Sequence, residues 1–316
     1  MGDEREPASE TPMSGEQYEI SGFGYRAVVA GVGATLRMLT FGDRNLVVPF
    51  EADELRPYYR GATLAPWPNR VLDGRYRWGG EDLQLSITEP KRGHALHGLA
   101  SWLEFRRVEH TASRLVLTAT VQPQAGYPHR ISLTVTFELA DTGLSWSVSG
   151  TNLGSRPAPF GAGPHPYLVA GPGLVDDWAL EVPAAQVQTV TEDRLVPVDV
   201  VDVGADGGAF DFRARRNVGG TFLDNAYTGI ARDAAGVATV RVIDPASGQG
   251  AGMRFGADSP WVQVHTGDLP EAPESSRIGL AVEPMTCPPG ALNSGTDVIR
   301  LEAGETVSVS WELFAI

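Results

Sequence analysis

Three of the six histidines lie in segments that could position them for proton transfer, the chemistry best suited to histidine near neutral pH. His97 lies in the glycine-flanked segment 93–98, His165 in the glycine- and proline-rich segment 161–167, and His265 in the alternating segment 261–268. A single histidine is more often a core or surface residue than a catalytic one. Glycine and proline on both sides of His165 favour a functional role, because rigid, closely fitting loops direct side chains into clefts.

Two carboxylates stand in mainly apolar surroundings. Glu283 lies within residues 278–285, an apolar segment typical of a strand. Burial of a carboxylate is costly unless the group is paired or functional, and it raises the carboxyl pKa towards the range of a general base. The sequence leaves a catalytic base and a structural ion pair equally open for Glu283. Asp224 is a similar case, although Asp224-Asn225 is also typical of a turn.

The segment Trp67-Pro68-Asn69-Arg70 contains groups that can bind a sugar. The guanidinium of Arg70 offers several donors to hydroxyl groups or carboxylates, and Trp67 offers an apolar face for the C–H side of a sugar ring. Pairing of Arg70 with a surface acid is the alternative. This segment alone does not decide between them.

Motifs for metal, nucleotide and covalent chemistry are missing from the sequence. His94 and His97 have an HxxH spacing, but it falls on a glycine-rich loop and the single cysteine, Cys287, is far from it. The G-x-G-x-x-G pattern is twice incomplete, no GK[ST] or G-x-S-x-G motif occurs, and Lys91 is the only lysine. We therefore predict no metal and no cofactor.

Composition and charge disfavour several partners. The chain has 25 Lys and Arg against 39 Asp and Glu, a net charge of −14, which gives no basic surface for nucleic acid or an anionic membrane. No apolar run approaches the roughly 18 residues of a spanning helix, and the acidic start is unlike a signal peptide. We expect a cytoplasmic monomer or homodimer that binds a small molecule.

The elements that must position these residues are short strands. Apolar and polar side chains alternate in the segments 114–121, 130–139, 144–149, 238–243, 261–266 and 306–314. Turn residues separate the strands, and no repeat of fixed period indicates a propeller. The pattern predicts one all-β sandwich or barrel over residues 18–316, after a loose acidic tail over residues 1–17. Residues 210–216 could form a short helix.

Five segments together resemble, in order, those of the aldose 1-epimerase (galactose mutarotase) family. They are Asn69-Arg70 followed by Gly74, similar to N-R-[IVL]-x-x-G; Leu96-His97-Gly98, similar to L-H-G; His165-Pro166-Tyr167, similar to H-[PS]-Y; Leu223-Asp224, similar to L-D; and Val282-Glu283-Pro284-Met285, similar to the terminal glutamate strand. The resemblance extends from about residue 18 to residue 316. Residues 66–70 also resemble a bacterial branch that includes epimerases of sulfosugar breakdown.

The resemblance implies a large antiparallel β-supersandwich and an isomerase that interconverts the α and β anomers of a free aldohexose, such as glucose or galactose, without a cofactor. It implies that Glu283 removes the proton of the anomeric hydroxyl and that His165 protonates the ring oxygen. The implied substrate-binding residues are Arg70, His97 and Asp224, with Asn69, Tyr167 and Asp268 as weaker candidates, to which the residue types add Trp67.

The sequence departs from the family pattern at three positions. His94 stands where many members have asparagine, His265 where many have tyrosine, and Asp268 where some have glutamine. These departures concern substrate specificity rather than the acid–base pair.

Other functions remain open. A glycoside hydrolase needs two carboxylates, for which Glu283 and Asp224 are the only plausible pair. A non-catalytic sugar-binding protein needs no acid–base pair, and a phosphosugar epimerase needs clustered Arg or Lys. From the acidic composition we expect neutral hexoses to be better substrates than their 6-phosphates. Lys91, Arg92 and Arg70 could still converge on a monoanionic sulfosugar.

Overall fold

Antiparallel β-strands form nearly all of the regular structure in the computed structural model, which describes residues 11–316 apart from the side chain of Asp206. The strands are β1 (Gln17–Gly22), β2 (Tyr25–Ala30), β3 (Thr35–Phe41), β4 (Arg44–Asn45), β5 (Ala62–Leu64), β6 (Arg70–Val71), β7 (Arg75–Trp78), β8 (Glu81–Gln84), β9 (Ala95–Leu96), β10 (Arg106–His110), β11 (Arg114–Val121), β12 (Ile131–Ala140), β13 (Gly143–Asn152), β14 (Ala158–Phe160), β15 (Gly163–His165), β16 (Tyr167–Leu168), β17 (Ala179–Glu181), β18 (Ala184–Val190), β19 (Pro197–Asp202), β20 (Arg216–Asn217), β21 (Asp224–Ile230), β22 (Ala238–Ile243), β23 (Gly250–Phe255), β24 (Trp261–His265), β25 (Leu280–Met285), β26 (Ile299–Leu301) and β27 (Thr306–Ala315).

Helical segments are short throughout residues 11–316. They are α1 (Ala291–Ser294) and 3₁₀ turns at Pro57–Tyr59, Leu72–Gly74, Ala100–Trp102, Val175–Asp177, Ala205–Gly208 and Pro273–Ser275. Within the described range, no helix has the length and apolar character needed to cross a membrane.

Three sheets contain most of the strands. One has four strands in the order β1-β2-β3-β4, one has nine in the order β10-β11-β12-β13-β27-β23-β22-β17-β20, and one has six in the order β16-β25-β24-β21-β18-β19. Side chains from all three, such as Ile20, Trp146 and Val264, belong to one cluster of buried hydrophobic residues. The sheets therefore share a core, and the predicted large antiparallel β-sandwich is confirmed.

The alternating segments form strands as predicted, with ends that agree to within three residues. In β12, for example, Ile131, Leu133, Val135 and Phe137 are fully buried while the residues between them face outward in part. The period-two pattern therefore identified which face of each strand joins the core.

Two predictions about the ends and loops were wrong. Residues 210–216 form turns rather than a helix, because the side chain of Asp211 accepts the N–H of Arg213 and so competes with helical hydrogen bonds. The predicted tail ends too late: the Ser14 side chain donates to the carbonyl of Ala52 at 2.7 Å, and Gln17 begins β1. The first ten residues of that tail lie outside the described part of the chain.

The six-stranded sheet brings the chemistry-bearing residues to one face. The register pairs Asp224 on β21 with His265 on β24, and Gln263 on β24 with Glu283 on β25. Because residues opposite each other and two apart point to the same side of an antiparallel sheet, these four side chains share a face. Val264, which points the other way, joins the hydrophobic core.

Candidate active site

The polar face of the six-stranded sheet forms part of the wall of a cavity of about 440 Å³. Eight of the nine residues selected from the sequence line it: Asn69, Arg70, His97, His165, Tyr167, Asp224, Asp268 and Glu283. They come from separate strands and loops between residues 69 and 283, so the cavity exists only in the folded chain.

Trp67 is the exception among the selected residues. Its side chain is buried in the core, where its ring centroid lies 5.9 Å from that of Tyr127. It does not line the cavity, so the predicted contact with a sugar ring does not fit its position. A tryptophan buries more apolar surface in the core than at a cavity wall, and this burial stabilises the loop that precedes Asn69.

Glu283 and His165 are neighbours in the cavity wall. The Nε2 atom of His165 lies 3.5 Å from Oε1 of Glu283, and both side chains are at least 95% buried. The ring centroids of Tyr59 and Tyr167 lie 6.4 and 5.3 Å from that of the imidazole, and both tyrosine rings are nearly parallel to it. These aromatic rings stack on the imidazole. Among the described residues, Oε2 of Glu283 has no hydrogen-bond partner.

Burial favours the neutral forms of both groups. It raises the pKa of Glu283 well above its ordinary value, an effect that Asp224 increases and Arg70 opposes. It lowers the pKa of His165 to about 3, with the nearby His265 as a further cause. Burial therefore favours the carboxyl group over the imidazole as the holder of the proton that the pair shares.

Arg70 is held by two carboxylates. Glu89 accepts hydrogen bonds from Nε of Arg70 at 2.8 Å and from Nη2 at 3.1 Å, and Asp224 lies 3.8 Å from Nη2. Asp224 opens strand β21, so it does not belong to a turn, and it accepts a bond of 2.6 Å from Gln263. Burial alone would raise the pKa of Asp224, but His265, Arg70 and this hydrogen bond outweigh burial and lower it.

His97 presents a hydrogen-bond donor. Its Nδ1 accepts the N–H of Asn69 at 3.2 Å, so a neutral ring carries its proton on Nε2. The pKa of His97 is well below its ordinary value, first because of burial and then because of His165, which keeps the ring neutral.

The tautomer of His97 also bears on metal binding. His97, His165 and Glu283 each place one possible ligand atom within 4.8 Å of the others. In His97, however, the lone pair of Nδ1 is taken by Asn69 and Nε2 carries the proton, so neither nitrogen can coordinate an ion. The cluster therefore suits hydrogen bonding to hydroxyl groups better than it suits a metal.

His94 supports loops outside the cavity. Its Nδ1 accepts the N–H of Asp73 at 3.2 Å, and its Nε2 lies 3.0 Å from the carbonyl oxygen of Arg194, to which it donates. Both ring nitrogens are used, so His94 and His97 do not form a ligand pair. His94 therefore connects the loops that contain Asp73 and Arg194.

Asp268 offers a fixed acceptor at the cavity wall. It accepts hydrogen bonds from Thr266 and, at 2.8 Å, from Nη1 of Arg277. Arg277 in turn donates to Asp176 at 2.7 Å and to the carbonyl of Gly219 at 2.6 Å. This network fixes the orientation of the carboxylate before any substrate binds.

Several cavity residues were not selected from the sequence. Tyr58, Tyr59 and Glu89 lie on loops without periodicity, and the only sequence signal was an aromatic pair within residues 56–60. His265 was singled out among the histidines and as a departure from the family pattern, but it was not selected as a site residue. It lines the cavity, and its Nδ1 lies 3.3 Å from the carbonyl oxygen of Leu223, which leaves Nε2 for the cavity.

Four residues of the cavity wall have left-handed backbone conformations without being glycine. The φ angles are 47° for Tyr58, 58° for Tyr59, 54° for Asn69 and 61° for His97. Such conformations are unfavourable for residues with a Cβ atom and persist where the surrounding structure imposes them. The scaffold therefore holds these side chains in place against a local preference.

Comparisons with known proteins agree on one family. The family model described as Aldose 1-epimerase matches residues 16–313. The Escherichia coli K12 protein YihR is 35% identical over 297 residues, which cover 92% of this chain and 91% of YihR. Galactose mutarotase from Mus musculus is 27% identical over 225 residues, 65% of this chain and 63% of that protein. The solved structure of the GalM/aldose epimerase homologue from C. elegans superimposes with a TM-score of 0.83 at 20% identity, covering 95% and 98% of the two chains.

Proposed function

The chain belongs to the aldose 1-epimerase family of isomerases, and on that premise we propose that it interconverts the α and β anomers of a free, uncharged aldohexose. The observation that carries the proposal is the buried pair of Glu283 and His165, whose facing atoms are 3.5 Å apart in the cavity wall. An acid and a base at this separation can act on the two oxygens attached to one anomeric carbon.

In the proposed reaction, Glu283 accepts the proton of the anomeric hydroxyl while His165 donates a proton to the ring oxygen. The C1–O5 bond breaks, and its electron pair stays with the oxygen that His165 protonates, leaving an aldehyde at C1. Rotation about C1–C2 turns the other face of the carbonyl towards O5. Closure reverses both proton transfers and gives the other anomer, so no atom or electron is gained or lost.

The charge state of the pair matches this cycle. Ring opening begins with ionised Glu283 and protonated His165, and it leaves a neutral carboxyl and a neutral imidazole. The second state is the one that burial favours. Arg70 lowers the pKa of Glu283 and so opposes burial. This opposition brings the two states closer in energy and so lowers the cost of ionising Glu283 before ring opening.

The remaining wall groups suit the hydroxyl groups of a sugar. Arg70 and His97 offer donors, and Asp224 and Asp268 offer fixed acceptors. The aromatic rings of Tyr59 and Tyr167 flank His165 and offer apolar faces to the C–H groups of a sugar ring. A glycoside hydrolase would pair Glu283 with Asp224, but Asp224 is already occupied by Gln263 and Arg70.

Polarimetry tests the proposal. Freshly dissolved α-glucose and α-galactose should reach their equilibrium rotation faster with the protein than without it. No acceleration with either sugar, together with release of reducing sugar from an aryl glycoside, would replace the proposal by the hydrolase alternative. A 6-sulfonated hexose belongs in the same assay, because Lys91 and Arg92 line the cavity beside Arg70.

A further inference from the structure

Glu89 lines the cavity in the loop between β8 and β9 and contacts two of its three basic residues. We propose that Glu89 is a positioning and specificity-determining residue, which fixes Arg70 and reduces the positive charge that Arg70 and Arg92 present, so that the cavity selects uncharged sugars over phosphorylated ones. This inference rests on the proposed function.

The carboxylate of Glu89 acts as a clamp. Its Oε2 accepts from Nε of Arg70 at 2.8 Å, and its Oε1 accepts from Nη2 of Arg70 at 3.1 Å and from Nη1 of Arg92 at 3.0 Å. The side chain of Glu89 is 11% exposed, and that of Arg70 is 8% exposed. Paired contacts between a guanidinium and a carboxylate fix both distance and plane.

Backbone hydrogen bonds also fix the position of Glu89. Its carbonyl oxygen accepts the N–H groups of Arg92, Gly93 and His94, and its own N–H donates to the carbonyl of His94 at 3.0 Å. Glu89 is therefore part of a closed turn, and its carboxylate is oriented before substrate binds.

This arrangement leaves one donor group of Arg70, Nη1, available to the substrate. Nε and Nη2 are bound to Glu89, whereas Nη1 makes no hydrogen bond to any residue that the structure describes and is not among its buried unsatisfied atoms. The N–H groups on Nη1 thus remain available to a sugar hydroxyl. Without Glu89, the guanidinium would be free to turn towards Asp224.

The same contacts set the charge of this end of the cavity. Arg70, Arg92 and Lys91 carry three positive charges, and Glu89 lies within 3.1 Å of two of them. A phosphate ester, which carries nearly two negative charges, would meet the Glu89 carboxylate where it needs an unpaired guanidinium. A neutral hydroxyl is not repelled in this way.

The test compares Glu89→Gln with the wild type. The amide keeps the shape of the side chain but has no charge. We measure KM for glucose and the competitive Ki of glucose 6-phosphate by polarimetry at fixed ionic strength. In Glu89→Gln the ratio of KM to Ki should rise about tenfold or more. Arg92 then loses the carboxylate with which it pairs and Arg70 keeps only Asp224, which favours the phosphate, while glucose loses a well-oriented donor.

Two further variants show the direction of the effect. Arg92→Gln should lower the ratio, because Glu89 then cancels Arg70 alone. Glu181→Gln is the matched control: Glu181 also lies between two arginines, 3.1 Å from Arg241 and 3.6 Å from Arg215, but outside the cavity, and the ratio should not change.

The outcomes separate this inference from the function on which it rests. A wild-type protein that accelerates no sugar contradicts the proposed function, and the inference falls with it. If the wild type is active but Glu89→Gln leaves the ratio within twofold, then Glu89 has only a structural role. Failure of glucose 6-phosphate to inhibit Glu89→Gln also refutes the inference.

Discussion

Replacement of Glu283 by glutamine should remove most of the mutarotase rate while leaving the fold intact. An amide cannot accept the proton of the anomeric hydroxyl, and a positioned general base contributes about 10²- to 10⁴-fold to a rate. In the described cavity wall, His165 already has the role of the acid and Asp224 is bound by Gln263 and Arg70, so neither is placed to replace the base. We therefore expect a loss of about 100-fold or more in kcat/KM, equivalent to about 2.7 kcal/mol or more in the barrier.

The same contacts predict little change in stability for Glu283→Gln. Burial raises the pKa of Glu283 and so favours a neutral carboxyl group in the folded protein, which a neutral amide of similar shape replaces. Oε2 of Glu283 has no protein partner among the described residues, so the amide breaks no hydrogen bond at that atom. Thermal unfolding should give nearly the wild-type Tm.

The assay is polarimetry of fresh α-glucose or α-galactose, with Glu312→Gln as a control. Glu312 pairs with Arg254 at 2.7 Å and lies outside the cavity, so its replacement should leave the rate unchanged. Rates for Glu283→Gln within about threefold of the wild type, in a protein with the wild-type Tm, would refute the assignment of Glu283 as the base.

Four other predictions concern the same chemistry. His165→Asn should lower kcat about 100-fold while the sugar still binds, and a rise in KM with kcat unchanged would make His165 a binding residue instead. From about pH 7 to 5, kcat/KM should not fall, because adding a second proton to the pair requires His165, whose pKa is about 3. It should fall where rising pH passes the raised pKa of Glu283 and the pair loses its proton. A fall on going from pH 7 to pH 5 would show that Glu283 must ionise independently. Dialysis against a chelator should leave the rate unchanged, and a loss that one divalent ion restores would contradict the proton-transfer scheme. Glucose and galactose should have higher kcat/KM values than glucose 6-phosphate, and a tenfold preference for the phosphate would refute the assignment to uncharged sugars.

The longer strands were predictable because their side chains alternate. Strand β12 has ten residues, and its period-two pattern survives without any information from its neighbours. Strands of two residues, such as β6 and β9, are too short to show a period, and they form because the folded chain brings Arg70 opposite Leu96. Tertiary contacts, which no local pattern records, define such elements.

The same distinction between local patterns and tertiary contacts applies to the candidate site. His165 and Glu283 were recognisable because glycine, proline or apolar neighbours surround them in the sequence. Glu89 was not, because its role depends on Arg70, which lies 19 residues earlier in the chain, before strands β7 and β8. The prediction for Trp67 was wrong for the same reason. The residue type indicates a large apolar face, but it does not indicate that this face packs against Tyr127 in the core.

The left-handed residues of the cavity wall place protein engineering and catalysis in conflict. A tyrosine in this conformation loses roughly 1–2 kcal/mol relative to a relaxed conformation, so glycine at Tyr58 is an obvious choice for raising the melting temperature. The gain would come from relief of this strain, but glycine would also loosen the segment that orients Tyr59 beside His165. Variants selected only for heat resistance would therefore tend to collect changes around this cavity, and their increased stability would be accompanied by a looser site.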